Sequence, residues 1–461
     1  MSKVKDAFAC THCGYETFKW TGQCPDCSMW NTLVESSFGG SVSTKIAFQA
    51  KDSYKGSAKD IVKLDTIAQS LEAVDDRFIL MNEELGRVFG GGITKASVTL
   101  LAGEPGIGKS TMTLSLALML SEKSKVLYIT GEESVSQIAR RAKRIGNTNS
   151  TLGFVQENIL ENIIATIQED RPEIVIIDSI QVMYSASLGS VSGSIGQIRF
   201  VTELLIETAK NYGITMIIIG HVTKDGNIAG PKALEHLVDT VLLLEGDSVS
   251  DIRFLRAEKN RFGPTDEIGV FQMKETGFTE VRNPSELFLT GKRQGASGSV
   301  ISSSLEGSRA FLIEVQALTT YTKFGYPKRS ATGYMQPRLE LLLAVIAKYG
   351  GIQIDSLDVF VNVVGGLKVK DPSIDLAVLS AIISSRKNKP LESNILVFGE
   401  IGLTGEVRAV GHLDKRVKEA EKQGIKKLFL PASQVSKISK FDGEIVGLHT
   451  VEEAVSRLVS A

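Results

Sequence analysis

The segment that decides the fold of this chain is Gly103-Glu104-Pro105-Gly106-Ile107-Gly108-Lys109-Ser110-Thr111. An apolar run at 97–102 precedes it, and an apolar run with helix-forming residues at 112–120 follows it. Glycines between a strand and a helix are typical of a phosphate-binding loop, because their backbone amides can surround an anion at the positive end of the helix. The pattern predicts that Gly103–Thr111 bind a nucleotide, with Lys109 on its β and γ phosphates and Ser110 on Mg2+. A Gly-rich turn that binds nothing is the alternative.

The composition is that of an ordinary globular chain, with 461 residues, 43% hydrophobic and 23% charged. This length is enough for two or three domains. The formal net charge of −1 means that any surface for nucleic acid must come from local charge or from assembly. No apolar run approaches the roughly 18 residues that a membrane span needs, and residues 1–9 are polar instead of signal-like. We therefore expect a cytoplasmic protein that does not contact a membrane.

All four cysteines lie near the N-terminus, as two C-x2-C pairs: Cys10, Cys13, Cys24 and Cys27. A reducing cytosol disfavours disulfides, and two such pairs can place four thiolates around one tetrahedral Zn2+. We predict a four-cysteine zinc finger over residues 1–35, followed by a Ser-, Gly- and Lys-rich linker over 36–65. Two redox pairs or unrelated thiols are the alternative, and the pattern leaves open whether the finger binds DNA or a protein partner.

Residues 66–283 alternate strand-like and helix-like runs. The strand-like runs are apolar throughout and lie at 125–130, 173–178, 214–220 and 240–244. Strands that are apolar on both faces are typical of a parallel sheet covered by helices. The fold class predicted for this part is therefore an α/β domain with a parallel sheet.

Polar residues end three of these runs. Asp178 ends the second, where a carboxylate can bind Mg2+ beside a phosphate loop, although a turn-capping aspartate is the better interpretation of Asp178 alone. Glu132 and Glu133 follow the first, and either could orient a water molecule for γ-phosphate hydrolysis. His221 follows the third, where it could sense the γ-phosphate. From spacing alone, a structural hydrogen bond is the favoured interpretation of His221.

Taken together, the chain resembles the bacterial RadA/Sms family of DNA-repair proteins. The resemblance is carried in order by the cysteine pairs, the phosphate loop, the segment 225–236 and Lys259-Asn260-Arg261-Phe262-Gly263. It covers nearly the whole chain except the linker. It implies a RecA-like ATPase that uses ATP, Mg2+ and Zn2+ and works as a ring, a homo-hexamer, on single-stranded or branched DNA. It further implies branch migration of recombination intermediates, with a RecA-type recombinase as a candidate partner.

The resemblance also implies roles for individual residues. Lys109 and Ser110 match the nucleotide loop, Asp178 the Mg2+ carboxylate, Glu132 the catalytic glutamate and His221 the γ-phosphate sensor. Lys259 and Arg261 match the motif that couples ATP to movement. In related ring helicases a Lys-x-Arg pair reaches the phosphates of the neighbouring subunit, which makes hydrolysis conditional on assembly. Without the resemblance, the pattern around Lys259 and Arg261 favours a solvated basic turn.

RecA-like folds place their DNA loops at the ring centre, which corresponds here to 185–196 and 223–231. These stretches offer few cations, namely Arg199, Lys224 and Lys232, but a ring repeats each contact. For 185–196, a flexible solvent loop is the alternative.

Residues 284–461 form a second predicted α/β region, with strands at 310–317, 358–364, 394–398 and 427–430 and helices at 373–385 and 412–423. This region resembles the proteolytic domain of Lon proteases, in which a serine and a lysine form a catalytic dyad. Ser373 matches the serine, but Asp414 stands at the lysine position, and Lys415 would point about 100° away on a helix. A carboxylate cannot activate the serine as a neutral amine does. We expect a domain without proteolytic activity that builds the ring and adds a basic surface around Pro327-Lys328-Arg329.

Three functions from different classes follow from these patterns. The favoured one is a DNA-dependent ATPase motor for recombination intermediates. The second is an ATP-dependent protease that uses the C-terminal domain, against which Asp414 argues. The third is a nucleotide switch that binds DNA without moving along it, against which only the segment 259–263 argues.

Overall fold

The computed structural model describes residues 7–10, 16–17, 19–24, 29–36, 76–146, 151–221, 234–246, 251–291, 293, 295–323, 325–392 and 394–459. The predicted linker after residue 36, the segment 222–233, Cys13 and Cys27 lie outside these residues, as does the side chain of Cys10.

The N-terminal strands are antiparallel and lie in the order β2-β1-β3: β1 Ala7–Cys10, β2 Glu16–Thr17 and β3 Leu33–Ser36. The described core of this N-terminal ribbon is small, with Cys24 and Leu33 buried and Phe8 packed against them. Trp20 adds one hydrogen bond, from its indole nitrogen to the carbonyl oxygen of Leu33 at 3.3 Å. So little apolar burial does not stabilise an independent fold, which is the situation in which small ribbons use a structural metal.

The described strands of the central region form one large sheet and a small two-stranded ribbon. The ribbon is β4 Arg77–Phe78 with β5 Ile93–Thr94. The large sheet contains β6 Val98–Gly103, β7 Val126–Thr130, β8 Gly153–Gln156, β9 Ile174–Asp178, β10 Thr215–His221, β11 Thr240–Gly246, β12 Ile252–Asn260, β13 Ile268–Lys274 and β14 Gly277–Glu280. The strand order is β14-β13-β12-β11-β6-β10-β9-β7-β8, parallel from β11 to β8 and antiparallel from β11 to β14.

Helices cover both faces of this sheet, which explains why every residue of β6, β7 and β9 is buried. They are α1 Glu83–Phe89, α2 Lys109–Leu120, α3 Val135–Ile145, α4 Leu160–Asp170 and α5 Ile195–Tyr212. The helix α3 begins with a capping box, in which Ser134 and Gln137 satisfy each other's backbone amides. The prediction of a parallel α/β sheet is confirmed, because the four apolar runs are β7, β9, β10 and β11.

The C-terminal strands build a second sheet in the order β17-β18-β16-β15-β19-β22-β23, beside a small pair, β20 and β21. Their bounds are β15 Ser299–Glu306, β16 Arg309–Tyr321, β17 Arg329–Thr332, β18 Leu357–Val363, β19 Ile395–Val397, β20 Glu400–Ile401, β21 Val407–Arg408, β22 Lys427–Pro431 and β23 Glu444–Leu448. The helices are α6 Pro284–Leu289, α7 Gln336–Tyr349, α8 Asp375–Lys387, α9 Leu413–Lys422, α10 Ala432–Val435 and α11 Val451–Val459.

One predicted helix differs in its first turn. Residues 372–374 form a 3-10 turn before α8, because Pro372 starts the turn and the Asp371 side chain caps the backbone amide of Ser373. Of the helices in the described residues, none combines the length and the apolar character that crossing a membrane requires.

The two large sheets share a junction. Phe254 of β12 packs against Phe288 of α6, and Phe288 packs against Phe311 of β16. Two ion pairs cross the same junction, from Arg309 to Glu84 and from Arg256 to Glu306, both at 2.7 Å. Because Glu84 and Glu306 are buried, the C-terminal sheet is tied to the strands that neighbour the phosphate loop.

Candidate nucleotide-binding site

The phosphate loop leaves β6 at Gly103 and enters α2 at Lys109. Gly106 and Gly108 have φ angles of 79° and 110°, a left-handed backbone that favours glycine. A Cβ atom on Gly103 would approach the carbonyl oxygen of Leu244 to 2.7 Å. No side chain caps the start of α2 at Gly108. The first amides of the helix are therefore available to phosphate oxygens, as a nucleotide site requires.

Lys109 lies at the mouth of this loop and is 4% exposed. Its ammonium donates hydrogen bonds to the carbonyl oxygens of Gly103 and Glu104, both at 2.9 Å. Burial lowers the pKa of Lys109 to about 8, while the nearby carboxylates of Asp178 and Glu132 oppose that shift. The predicted lysine and the predicted carboxylates thus lie around one point.

Asp178 ends β9, two strands away from the phosphate loop, and is 5% exposed. The Tyr128 hydroxyl donates a hydrogen bond to its Oδ2 at 2.5 Å. Burial raises the pKa of Asp178, and hydrogen bonds from Tyr128 and Ser110 partly offset this effect. Ser110 and Asp178 are adjacent, so these two side chains fit the oxygen-rich shell that Mg2+ prefers.

The structure separates the two glutamates that follow β7. Glu132 accepts a hydrogen bond from the Ser179 hydroxyl, and its Oε1 lies 3.5 Å from Nε2 of His221. Glu133 instead pairs with Arg141 of α3 at 2.5 Å. His221 is level with Gly103 in the sheet, because β10 pairs with β6. Glu132 and His221 therefore face the phosphate loop together, and Glu133 serves the packing of α3.

Lys259 and Arg261 lie at the other end of the sheet. Lys259 donates to the carbonyl oxygens of Glu235 and Val238 at 2.7 and 2.8 Å, and Arg261 pairs with Asp239 at 3.1 Å. In the sheet, Thr240 of β11 pairs with Asn260 on one side and with Thr99 on the other. Thr99 is the second residue of β6, whereas the phosphate loop begins at the last residue of that strand. These two cations therefore do not reach the phosphate loop of their own chain.

The turn at 261–263 is held in place by Arg77. Its guanidinium donates to the carbonyl oxygens of Gly90 and Phe262, at 2.6 and 2.7 Å. Gly263 packs so closely on this turn that a Cβ atom would lie 3.1 Å from the Cα of Gly90. These contacts fix the conformation of the segment 261–263, which is therefore not a loose basic turn.

Arg253 is a site residue that the sequence patterns missed. It lies at the start of β12, is 7% exposed, and donates from Nε to the carbonyl oxygen of Ile107 in the phosphate loop at 3.1 Å. The available signal was an arginine inside an apolar strand, which is unusual unless the guanidinium has a partner. Arg253 therefore supports the loop from behind.

The predicted DNA loop at 185–196 has a defined conformation. The Gln197 side chain donates to the carbonyl oxygens of Ser185, Leu188 and Ser190, at 3.3, 3.0 and 3.0 Å. Val191 is 80% exposed on this loop. The second predicted DNA loop, together with Lys224 and Lys232, lies outside the described residues.

In the C-terminal domain, the Ser373 hydroxyl is buried and donates to the carbonyl oxygen of Ser303 in β15 at 2.9 Å. The residue that faces Ser373 is Arg416, whose Nη1 lies 2.8 Å from the hydroxyl oxygen and whose Nη2 pairs with Asp371 at 2.6 Å. Asp414 is exposed, and Lys415 donates to the carbonyl oxygen of Ser308. Neither side chain lies in position to activate Ser373.

The sheet, the glycine loop and the adjoining carboxylates define a RecA-like P-loop ATPase domain, between an N-terminal ribbon and a C-terminal Lon-type domain. Family comparisons agree: residues 68–227 match the family described as "AAA domain", residues 8–35 the "Rubredoxin metal binding domain" and residues 344–455 the "Lon protease (S16) C-terminal proteolytic domain".

Full-length relatives identify the family. The chain is 44% identical to the DNA repair protein RadA of Bacillus subtilis, over 99% of both chains. It is 42% identical to DNA repair protein RadA of Pseudomonas aeruginosa, over 99% of this chain and 100% of that one, and 42% identical to that of Escherichia coli, over 98% of both. The chain therefore belongs to the RadA family of DNA repair proteins.

Solved structures are more distant. The ATPase domain of G40P has a TM-score of 0.41 at 17% identity and covers 48% of this chain and 97% of its own. A DnaB-like replicative helicase has a TM-score of 0.42 at 17% identity, covering 48% of this chain and 68% of its own.

Proposed function

We propose that this chain is a DNA-dependent ATPase that acts on recombination intermediates during DNA repair in the cytoplasm. It works as a ring-shaped homo-hexamer on single-stranded or branched DNA and drives branch migration, with a RecA-type recombinase as a partner. Membership of the RadA family supports the role in repair. The observation that carries the motor proposal is that Lys259 and Arg261 lie at the end of the sheet opposite Lys109.

Within one subunit, the described residues divide the work on ATP. The amides of Gly106 and Gly108 and the ammonium of Lys109 bind the phosphates. Ser110 and Asp178 hold Mg2+, which neutralises charge on the phosphate oxygens when it is bound. Glu132, held by Ser179, orients the attacking water, and His221 relays the state of the γ-phosphate.

Between subunits, Lys259 and Arg261 have different roles. Lys259 is held by two backbone carbonyls and shapes the turn. The Arg261 side chain is 52% exposed and pairs with Asp239, which is buried. Asp239 also accepts a hydrogen bond from the backbone amide of Val98, so its carboxylate keeps a partner when the exposed guanidinium turns to a phosphate of the neighbouring subunit. Hydrolysis would then require a neighbour and would be coupled to ring movement.

The N-terminal ribbon completes the proposal with one Zn2+ on Cys10, Cys13, Cys24 and Cys27. The match of residues 8–35 to a rubredoxin-type metal-binding family supports this ligand set. The burial of Cys24, in a ribbon whose described residues form only a small apolar core, is consistent with a metal that takes the place of a larger one.

The protease alternative is disfavoured by the surroundings of Ser373. A serine nucleophile needs a base that can take its proton, and the guanidinium of Arg416 offers only N–H donors and no acceptor. The hydroxyl proton is already donated to the carbonyl oxygen of Ser303. We infer that this arrangement stabilises the domain and does not cut peptides. Casein degradation that disappears in Ser373→Ala would contradict this inference.

The test of the proposed function is steady-state ATP hydrolysis with and without single-stranded DNA. We expect DNA to stimulate hydrolysis, Lys109→Ala to abolish it, and Lys259→Ala to bind nucleotide but fail to extend branched intermediates. Hydrolysis that DNA does not change would contradict the proposal. Normal branch migration by Lys259→Ala would contradict the coupling role of the segment 259–263.

A further inference from the structure

Tyr128 buries a hydroxyl group that the packing of the fold does not require. Its ring packs on the α2 side of the sheet with Phe154, at a centroid distance of 5.8 Å, and the residue is fully buried. A phenylalanine would fill the same space without burying a hydroxyl. A buried hydroxyl costs free energy unless it is hydrogen-bonded, so the position of this one calls for a partner.

The hydroxyl lies between the helix of the phosphate loop and the acidic strand end. It donates to Oδ2 of Asp178 at 2.5 Å, and the Thr113 side chain of α2 lies beside it. The Thr113 hydroxyl donates its own proton to the carbonyl oxygen of Lys109 at 2.9 Å. The phenol therefore lies between α2 and Asp178, beside the Ser110 hydroxyl that also contacts this carboxylate.

We propose that Tyr128 is a positioning residue that holds the Asp178 carboxylate in the rotation in which it shares a divalent cation with Ser110. The bond from Tyr128 to Oδ2 fixes the plane of the carboxylate. A carboxylate without this bond can rotate about its last torsion, because such torsions have broad minima. Tyr128 contacts neither nucleotide nor cation and acts only through Asp178. The inference rests on the proposed nucleotide chemistry and adds the residue that orients its acidic ligand.

The test is Tyr128→Phe in the full chain, with binding of a fluorescent ADP measured in Mg2+ and in EDTA. Partners of metal ligands typically contribute tenfold or more to metal affinity, so we expect the variant to need about tenfold more Mg2+ for half-maximal tightening of ADP binding. Affinity in EDTA should stay within about twofold of the wild type. Half-saturating Mg2+ for ATP hydrolysis should rise by the same factor, and kcat at saturating Mg2+ should recover.

A matched control is available in the C-terminal domain, between β17 and α7. Tyr334 is also buried, and its hydroxyl donates to Oδ1 of Asp375 at 2.6 Å. Tyr334→Phe therefore removes the same kind of bond away from the phosphate loop, and we expect an unchanged Mg2+ requirement. If Tyr128→Phe does not fold, Tyr128→Met, which also lacks the hydroxyl and adapts to irregular spaces, takes its place with the same expected rise in the Mg2+ requirement of about tenfold.

Results of two kinds would overturn the inference: those that leave Tyr128 without a positioning role, and one that removes the Mg2+ assignment itself. If the wild type shows Mg2+-dependent ADP binding and Tyr128→Phe has the same Mg2+ requirement, Tyr128 only fills space and the proposed function stands. Equal losses of ADP affinity in Mg2+ and in EDTA lead to the same conclusion. If the affinity of the wild type for ADP is identical in Mg2+ and in EDTA, the assignment of Ser110 and Asp178 to Mg2+ is wrong, and the inference is wrong with it.

Discussion

Arg253 donates a hydrogen bond to the carbonyl oxygen of Ile107, so the first antiparallel strand of the central sheet supports the phosphate loop. The same strand, β12, carries Lys259 near its other end. One continuous strand therefore joins the loop that binds phosphate to the segment that we assign to the neighbouring subunit. A change in the loop on nucleotide binding has a direct mechanical path to that segment.

Arg253→Met should weaken nucleotide binding. The substitution keeps an unbranched apolar stem but removes the guanidinium and its donors, which leaves the carbonyl oxygen of Ile107 without this partner. A hydrogen bond to a charged group contributes about 1.5–3 kcal/mol, so we expect ADP affinity to fall tenfold or more. The measurement is titration with fluorescent ADP. Arg282→Met is the control, because its side chain is 70% exposed. Equal affinities in both variants would contradict a supporting role for Arg253.

Arg416→Met should destabilise the C-terminal domain strongly. Arg416 is 1% exposed and neutralises Asp371, so its removal leaves a carboxylate in the interior without this ion pair. Breaking a buried ion pair in this way costs about 3–5 kcal/mol. The control is Lys426→Met, which breaks an exposed pair with Asp442 of similar length, 2.7 Å, and should leave the stability almost unchanged. Urea denaturation followed by circular dichroism compares the two, and similar losses would refute the buried role.

The contribution of Asp371 should depend on pH in one direction. Burial raises the pKa of Asp371, but the Arg416 guanidinium and the hydrogen bonds from the amides of Ser373 and Leu305 outweigh it and hold the pKa below its usual range. A carboxyl whose pKa is lower in the folded chain stabilises the fold above its unfolded pKa of about 3.9, and the stabilisation is lost as the pH falls through the folded value.

The pH series compares the free energy of unfolding of the wild type with that of Asp371→Asn. The difference between them should be constant from pH 7 down to about pH 4 and should shrink below that. A difference that grows in acid would mean that the pKa is raised instead.

Zinc removal should change tryptophan fluorescence without affecting the ATPase domain. The chain has two tryptophans, Trp20 and Trp30, and both lie in the N-terminal ribbon. Trp20 is 54% exposed but is fixed by its hydrogen bond to Leu33, so unfolding of the ribbon on chelation should free its ring and lower the tryptophan fluorescence anisotropy. Anisotropy and zinc content are measured together, and Cys24→Ser should mimic chelation. Unchanged anisotropy in zinc-free protein would contradict a structural metal.

The features that the sequence predicted are local. A glycine loop between an apolar strand and a helix specifies its own conformation, and strands that are buried on both faces are apolar at every position, as β7 and β9 are. Such local patterns were enough to predict the nucleotide loop, the parallel sheet and the acidic strand end at Asp178.

The contacts that the sequence did not predict join residues far apart in the chain. Arg253 and Ile107 are separated by 146 positions, so no periodicity connects them. The resemblance to Lon proteases pointed to Asp414, but the residue that faces Ser373 is Arg416, about 200° further round α9. The strand pattern alone did not distinguish Glu132 from Glu133, and only the resemblance favoured Glu132; in the structure Arg141 pairs with Glu133. In each case a tertiary partner decides the role.

The central claim is that Lys109 and Arg261 of neighbouring subunits complete one ATPase site. The most direct measurement is DNA-stimulated ATP hydrolysis by a mixture of Lys109→Ala and Arg261→Ala chains, each inactive alone. A site that takes its loop from an Arg261→Ala subunit and its arginine from a Lys109→Ala neighbour contains both groups. We predict that an equimolar mixture recovers about a quarter of the wild-type rate, the share of such interfaces in randomly mixed rings. A mixture no more active than its two components would contradict the shared site.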